Sequence, residues 1–328
     1  MHDALPAGIA DARALLEHMM RARVISSRMM RLKRAGRIGS HHASIGHEAF
    51  VVGAVLGLRG PDWVFPGPSE WYAALCRGSS LEAYVHHAFG SAADPTQGHA
   101  CPDHAPSRAV RVVPPSGLPG AHLPQAVGAA WAAKIQRDDV AALALFGAEA
   151  VDSGDFHNAL NFAGVFRAPV VFVGLARRGD SIASRAVAYG LASATVDGSD
   201  ALAVAGVVRE ATRRTTEGKG ATLIEVVQPE LEDAALTRDD TLAPSTLFEL
   251  GPHDPIARLR RALERDARLA ADLPESVTRD VRDVTERLDR AIALAEAAGA
   301  PEASTLFDGV FAEVPPHLAA QRRMLSGG

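Results

Sequence analysis

The chain carries only two cysteines, Cys76 and Cys101, in 328 residues. Two thiols make no disulfide framework, and a reduced, cytoplasmic setting is the expectation for such a chain. The sequence lacks any run of about 18 apolar residues free of charge and proline, the length a helix needs to cross a bilayer, so no membrane association is expected. The opening stretch, MHDALPAGIADARALLEHMM, does not place a basic region before an apolar core, as a signal peptide does. Positive charge is in deficit: 34 Lys and Arg against 39 Asp and Glu leave a net charge of −5. That balance gives no electrostatic case for a nucleic-acid partner.

What is present is globular material, 47% hydrophobic and 22% charged, enough to bury a sizeable core. Residues 11–35 place Leu15, Leu16, Met19, Met20, Val24, Met29 and Met30 at helical spacing with arginines between them. The spacing predicts an amphipathic helix whose methionines fill core. Residues 44–58 read as a second helix, and its small residues Ala49, Gly53 and Ala54 allow close packing. Residues 61–68 read as a turn-rich loop, 81–89 as helix, and 94–108 as a long loop with His99, Cys101, His104 and three prolines. Loops of that length are often functional or interfacial.

From residue 110 strands and helices alternate. Strands are predicted at 110–113, 140–146, 170–173, 193–196 and 222–227, and helices at 123–136, 154–166, 182–190 and 201–216. Largely apolar runs such as VVFVGL and TLIEVV suit strands covered on both faces. The alternation implies an α/β fold, a parallel sheet flanked by helices on both faces. In such sheets the ligand crevice lies beyond the carboxyl ends of the strands, where Gly147 and Gly174 are expected. After Gln228 an acidic, irregular stretch reads as a mobile surface loop, followed by charged helices at 255–269 and 282–298 and a last helix after Pro315-Pro316. The chain reads as a single domain over 1–328, with helical extensions at about 1–60 and 250–328.

Paired histidines at 41–42 and 86–87 invite a metal reading, but adjacent residues on a helix point apart. Asp152, Asp155 and His157 resemble a catalytic group, yet Gly154-Asp155 better opens a helix, whose dipole favours an acid there.

Several motifs together resemble a known family. Ser44-Ile45-Gly46-His47-Glu48-Ala49, DPTQGHACPDH at 94–104, LPQAVGAAWAAK at 123–134, GDFHNALNFA at 154–163, VDGSDALAV at 196–204, Asp254-Pro255-Ile256 with Arg258-Leu259-Arg260, and FDGVFAEVPPHLAAQ at 307–321 occur in one order. In that order they are similar to the alpha subunit of the decarboxylating first component of 2-oxo acid dehydrogenase complexes, branched-chain type. The resemblance implies the thiamine diphosphate-binding fold. It also implies thiamine diphosphate and magnesium held by the alpha subunit, and a separate beta-type subunit, two of each forming the enzyme.

Against that family the chain departs at one site. Ala148 stands at the metal-binding Asp, Arg177 at the metal-binding Asn and Gly179 where a Tyr follows. Alanine offers no ligand atom and arginine is a permanent cation. Ser69, before Glu70, replaces the arginine that grips the diphosphate. Ala121 and His122 replace the Thr and Gln of a potassium-holding turn, and the family's late histidine loop here reads QPELEDAALTRDD. His104 matches a pocket histidine and is read as a retained vestige. The expectation is an alpha-type subunit without cofactor or metal, a structural or regulatory partner of a beta-type chain in an alpha2beta2 assembly or a homo-oligomer. The helix at 125–134 is the expected contact. Two alternatives stay open: an active thiamine diphosphate-dependent dehydrogenase rebuilt around Glu149 or Arg177, and a binder of another anionic ligand near Arg177, Arg178 and His122.

Overall fold

The computed structural model describes residues 9–101, 107–228, 231, 247–266 and 270–327. The predicted acidic loop after Gln228 and His104 fall outside them. The strands are β1 (Trp63–Phe65), β2 (Ala142–Gly147), β3 (Val170–Ala176), β4 (Ala192–Asp197) and β5 (Thr222–Val227). They form one parallel sheet in the order β1-β2-β3-β5-β4.

Successive side chains along a strand point to opposite faces, and that alternation sorts the core in two. Leu143, Leu145, Val171, Val173, Ile224 and Val226 face a large cluster. It is built with α1 (Ile9–Arg34), α2 (Glu48–Leu56), α3 (Tyr72–Cys76), α4 (Leu81–Phe89), α7 (Ala201–Thr216), α8 (Pro255–Glu264) and α9 (Leu273–Ala297). Ala142, Ala144, Phe146, Val170, Phe172 and Leu223 face a smaller cluster with α5 (His122–Gln136), α6 (Gly154–Phe166) and the 3-10 turn Ala183–Tyr189. Helices therefore cover both faces, as the largely apolar runs required. The chain closes with α10 (Pro316–Gly327). No helix among the described residues is long and apolar enough to cross a membrane.

Local sequence explains most boundaries. Ser153 caps α6, its hydroxyl accepting from the Phe156 N–H at 3.1 Å, and Asp155 lies in the first turn. Asp200 caps α7 in the same way. Met19 and Met29 are fully buried in α1, as their spacing predicted. In α9, Val284, Leu288, Ala291, Ile292 and Ala295 make the buried stripe. Gly53 earns its place in α2: a Cβ there would stand 3.0 Å from the Ala201 carbonyl and from Val204 of α7.

Three expectations need correction. The 61–68 stretch contains β1, hidden among Pro61, Pro66 and Pro68, because three residues paired with β2 suffice for an edge strand. The expected strand at 110–113 is a 3-10 turn, Arg108–Val110, followed by a single bridge between Val112 and Val64. Pro114-Pro115 then supply no N–H donors to extend a ladder. β3 runs on to Ala176, so Gly174 lies inside the strand opposite Phe146 rather than at its carboxyl end. A Cβ on Gly174 would stand 2.7 Å from the Phe146 ring, so this glycine makes room for an aromatic.

Candidate functional site

The carboxyl ends of β1, β2 and β3 lie side by side and open onto three short segments. After β1, the chain turns through Gly67 into the 3-10 turn Pro68–Glu70. Ser69 is half-buried on it and Glu70 is buried, 4% exposed. After β2, Gly147 leads into the 3-10 turn Ala148–Ala150. After β3, Arg177 and Arg178 are exposed, and the Arg177 N–H donates to Asp180 at 2.9 Å.

Ala148 is half-buried and presents only a methyl group. Glu149 is exposed, and its carboxylate folds back over Gly147, where a Cβ would collide with both oxygens. Glu70 turns its carboxylate toward Gly67 in the same manner. Burial first, and then the negative charge of Glu149, push the Glu70 carboxyl up to about 7, against the backbone hydrogen bonds from Gly67 and from Glu70 itself.

His122 opens α5 and is 3% exposed. Its Nε2 lies 2.7 Å from the Leu145 carbonyl oxygen, so Nε2 carries the proton and donates. Nδ1 is then a lone-pair acceptor, buried and without a partner among the described residues. Burial holds the His122 pKa below the ordinary value, opposed by the Leu145 carbonyl and the charge of Glu149. The Leu145 oxygen that His122 holds is 3.8 Å from the Cβ position of Gly67, beside the Glu70 carboxylate. The edge of β2 thus gathers Glu70, Glu149 and His122, with Ser69 and Ala148 adjacent. Arg177 sits across the edge, two residues past the Gly147–Leu175 pair.

The histidine pairs serve structure. His41 lies outside any helix, and its Nε2 and Nδ1 each lie 3.2 Å from a hydroxyl, of Ser26 and Tyr84 respectively. His87 meets Asp94 at 3.1 Å and the Cys101 carbonyl at 3.0 Å. No group of three His, Cys, Asp or Glu side chains among the described residues is disposed to hold a metal ion. His157 pairs with the Tyr189 hydroxyl at 2.5 Å, and Asp152 is exposed.

Two features escaped the sequence reading. One is the raised carboxyl of Glu70. The other is Arg23, fully buried in α1. Its Nε and Nη2 donate to both oxygens of Glu48 at 2.7 and 2.8 Å. Its Nη1 donates to Asp254 at 2.6 Å and to the Leu247 carbonyl at 3.2 Å. The signal was available: Arg23 stands four residues after Met19 and three after Met20, on the apolar stripe itself. Glu48 and Asp254 belong to two of the motifs that carried the resemblance. A third is tied in likewise, Arg258 of α8 holding Asp197 and Asp200 before α7.

The comparisons with known proteins agree with those motifs. The profile of the family described as dehydrogenase E1 component matches residues 17–304. A 2-oxoisovalerate dehydrogenase subunit alpha from Bacillus subtilis is 30% identical over 95% of this chain and 98% of its own length. A 3-methyl-2-oxobutanoate dehydrogenase subunit alpha from Mycobacterium tuberculosis is 33% identical over 95% of this chain and 86% of its own. The mitochondrial 2-oxoisovalerate dehydrogenase subunit alpha of Mus musculus is 31% identical over 90% and 69%. With its buried clamps in place and the family profile spanning most of its length, the chain belongs to the dehydrogenase E1 component family.

Proposed function

We propose that this chain is an alpha-type subunit of a 2-oxo acid dehydrogenase-like assembly that holds no thiamine diphosphate of its own and acts as a structural or regulatory partner. The observation that carries the reading is the composition of the β2 edge. Ala148 has no ligand atom, Ser69 stands where the family's diphosphate-gripping arginine is expected, and the Glu149 carboxylate folds over Gly147. Magnesium bridging a diphosphate needs hard oxygen ligands aimed at the metal and cations or N–H groups aimed at the phosphates. These residues do not fit that group. No step of chemistry is therefore assigned to it here.

The partner is a beta-type subunit. The relatives above are named as alpha subunits, which supports this part of the reading. The contact falls on α5 and α6. Gln125, Gly128, Ala129 and Ala132 line an exposed face of small residues on α5. Beside it Trp131 stacks on Phe166 at 4.1 Å, and Ile135, Phe162 and Val165 stand 64%, 48% and 68% exposed. Apolar surface gathered in this way marks an interaction site.

The test is calorimetric titration of thiamine diphosphate with magnesium, beta-type chain present. The expected result is no saturable binding to this chain, together with co-purification of the two chains. Recovery as a stable monomer that retains no beta-type chain sinks the partner half of the proposal. A second reading, an active dehydrogenase subunit with a rebuilt site, is supported by the position of Glu149 one residue past the lost ligand and by the exposed guanidinium of Arg177, which suits phosphate oxygens. Submicromolar, magnesium-dependent binding selects it over the first.

A further inference from the structure

A cavity lies between the α3–α4 hairpin and the loop that starts at Asp94. It encloses about 60 Å³. Native interiors leave few voids larger than a water molecule, and this one is walled by carbon: Trp71, Leu75, Ala83, Val112 and Pro115. Trp71 and Tyr84 stack at 5.1 Å and 21° to make one broad aromatic side.

The polar groups in the wall fall into two sets. The first is closed. The Asp94 carboxylate accepts from the Thr96 N–H at 2.9 Å, the Thr96 hydroxyl at 2.8 Å and the Gly98 N–H at 3.1 Å. His87 bridges Asp94 and the Cys101 carbonyl. Nothing in that set is left over for a ligand. The second is open. The Ser107 and Ser79 hydroxyls lie 3.3 Å apart. Ser107 donates to Ser79, and the O–H of the half-buried Ser79 has no acceptor among the described residues. Among the described residues the lining includes no Lys or Arg, so an anion would shed its hydration for no counter-charge. A cation would meet only the saturated Asp94.

We propose that this cavity binds a small uncharged molecule: a short apolar body against Trp71 and Tyr84, and one hydrogen-bond acceptor, a ketone or ether oxygen, taking the spare O–H of the Ser79–Ser107 pair. At about 10–15 Å³ for each water-sized group, the space takes roughly four to six heavy atoms. A route in exists. An outer hollow of about 180 Å³, between α1, α3 and α9, shares Leu75 and Ser79 with the cavity as a common partition. The proposal holds whether or not thiamine diphosphate binds at the β2 edge.

Ligand-detected NMR titration of the full chain with 2-butanone, against sodium butyrate as the charged comparator, tests it. The ketone binds saturably and butyrate at least about tenfold more weakly. Ala83→Leu, which fills the cavity from α4 with a good helix former, removes ketone binding, and its unfolding midpoint shows that it folds. The double variant Ser79→Ala, Ser107→Ala weakens the ketone by about threefold to tenfold and serves alone if Ala83→Leu does not fold. Absence of saturable ketone binding, equal binding of butyrate, or unchanged affinity in Ala83→Leu or in the serine pair each overturns the proposal.

Discussion

Arg23 and Glu70 are both charged side chains taken out of water, and their surroundings are opposite. Arg23 meets two carboxylates and a carbonyl, with Gly46 N–H completing the Glu48 oxygens and the Leu250 and Ile256 N–H groups completing those of Asp254. Burial alone would lower its pKa, but Glu48 and Asp254 hold it above the ordinary arginine value. Glu70 meets backbone N–H groups and a second carboxylate, Glu149, and its proton affinity rises. One region is a buried cation held by two carboxylates, which ties α1, α2 and α8 together. The other is a buried carboxyl at a strand edge, where burial and the charge of Glu149 outweigh the nearby His42. Glu48 and Asp254 of the first belong to motifs that resemble the family, and the second adjoins Ser69 and Ala148, two residue types at which the chain differs from the family pattern. A fold can keep its clamps while its ligand edge changes, because the two depend on different side chains.

The sharpest test of this contrast is Arg23→Met. It leaves Glu48 and Asp254 buried without a cation, and stability falls by about 3–5 kcal/mol in urea unfolding. A loss under about 1 kcal/mol breaks the comparison.

Next is Glu70→Gln. The folded pKa of about 7 lies above the usual 4.5, so the stability tied to the protonated form is complete below pH 4.5 and lost as pH rises through 7. The substitution therefore adds up to about 3 kcal/mol near pH 8 and almost nothing near pH 4.5. A difference that does not change between these pH values removes the raised Glu70 carboxyl from the argument.

Gly53→Val comes third. It forces a branched side chain against the Ala201 carbonyl and Val204, costing about 1–3 kcal/mol. A neutral result in thermal unfolding means α2 and α7 separate more readily than their contact implies. The smallest effect is Arg258→Ala. Its partners Asp197 and Asp200 are 56% and 31% exposed and water screens them, so the loss is at most about 1 kcal/mol. A loss matching that of Arg23→Met makes exposure irrelevant to these clamps.

The reading from sequence was strongest where local signals and burial agreed. Residues 154–166 and 201–216 carry a cap and 222–227 an apolar run broken only by Glu225, and they form α6, α7 and β5 at those bounds. It failed at β1, where three strand residues lie among prolines and only the neighbour β2 makes them a strand. At the candidate site, Ala148 and Ser69 were legible as residue types because a missing ligand atom needs no coordinates. The fold-back of Glu149 over Gly147 and its effect on Glu70 were not, since residues 79 positions apart meet only across the sheet edge.

The order of hydrophobic and capping signals was enough to determine a parallel sheet covered on both faces, and the motif order determined the family. Tertiary structure alone decided which charges are compensated. Arg23 reaches Asp254 across 231 positions, and Glu70 lies beside Glu149, whose charge and the burial together outweigh the pull of His42. Periodicity reports how a side chain is directed within its own element. The partner it meets, and so the sign and cost of its charge, is fixed by how distant elements pack.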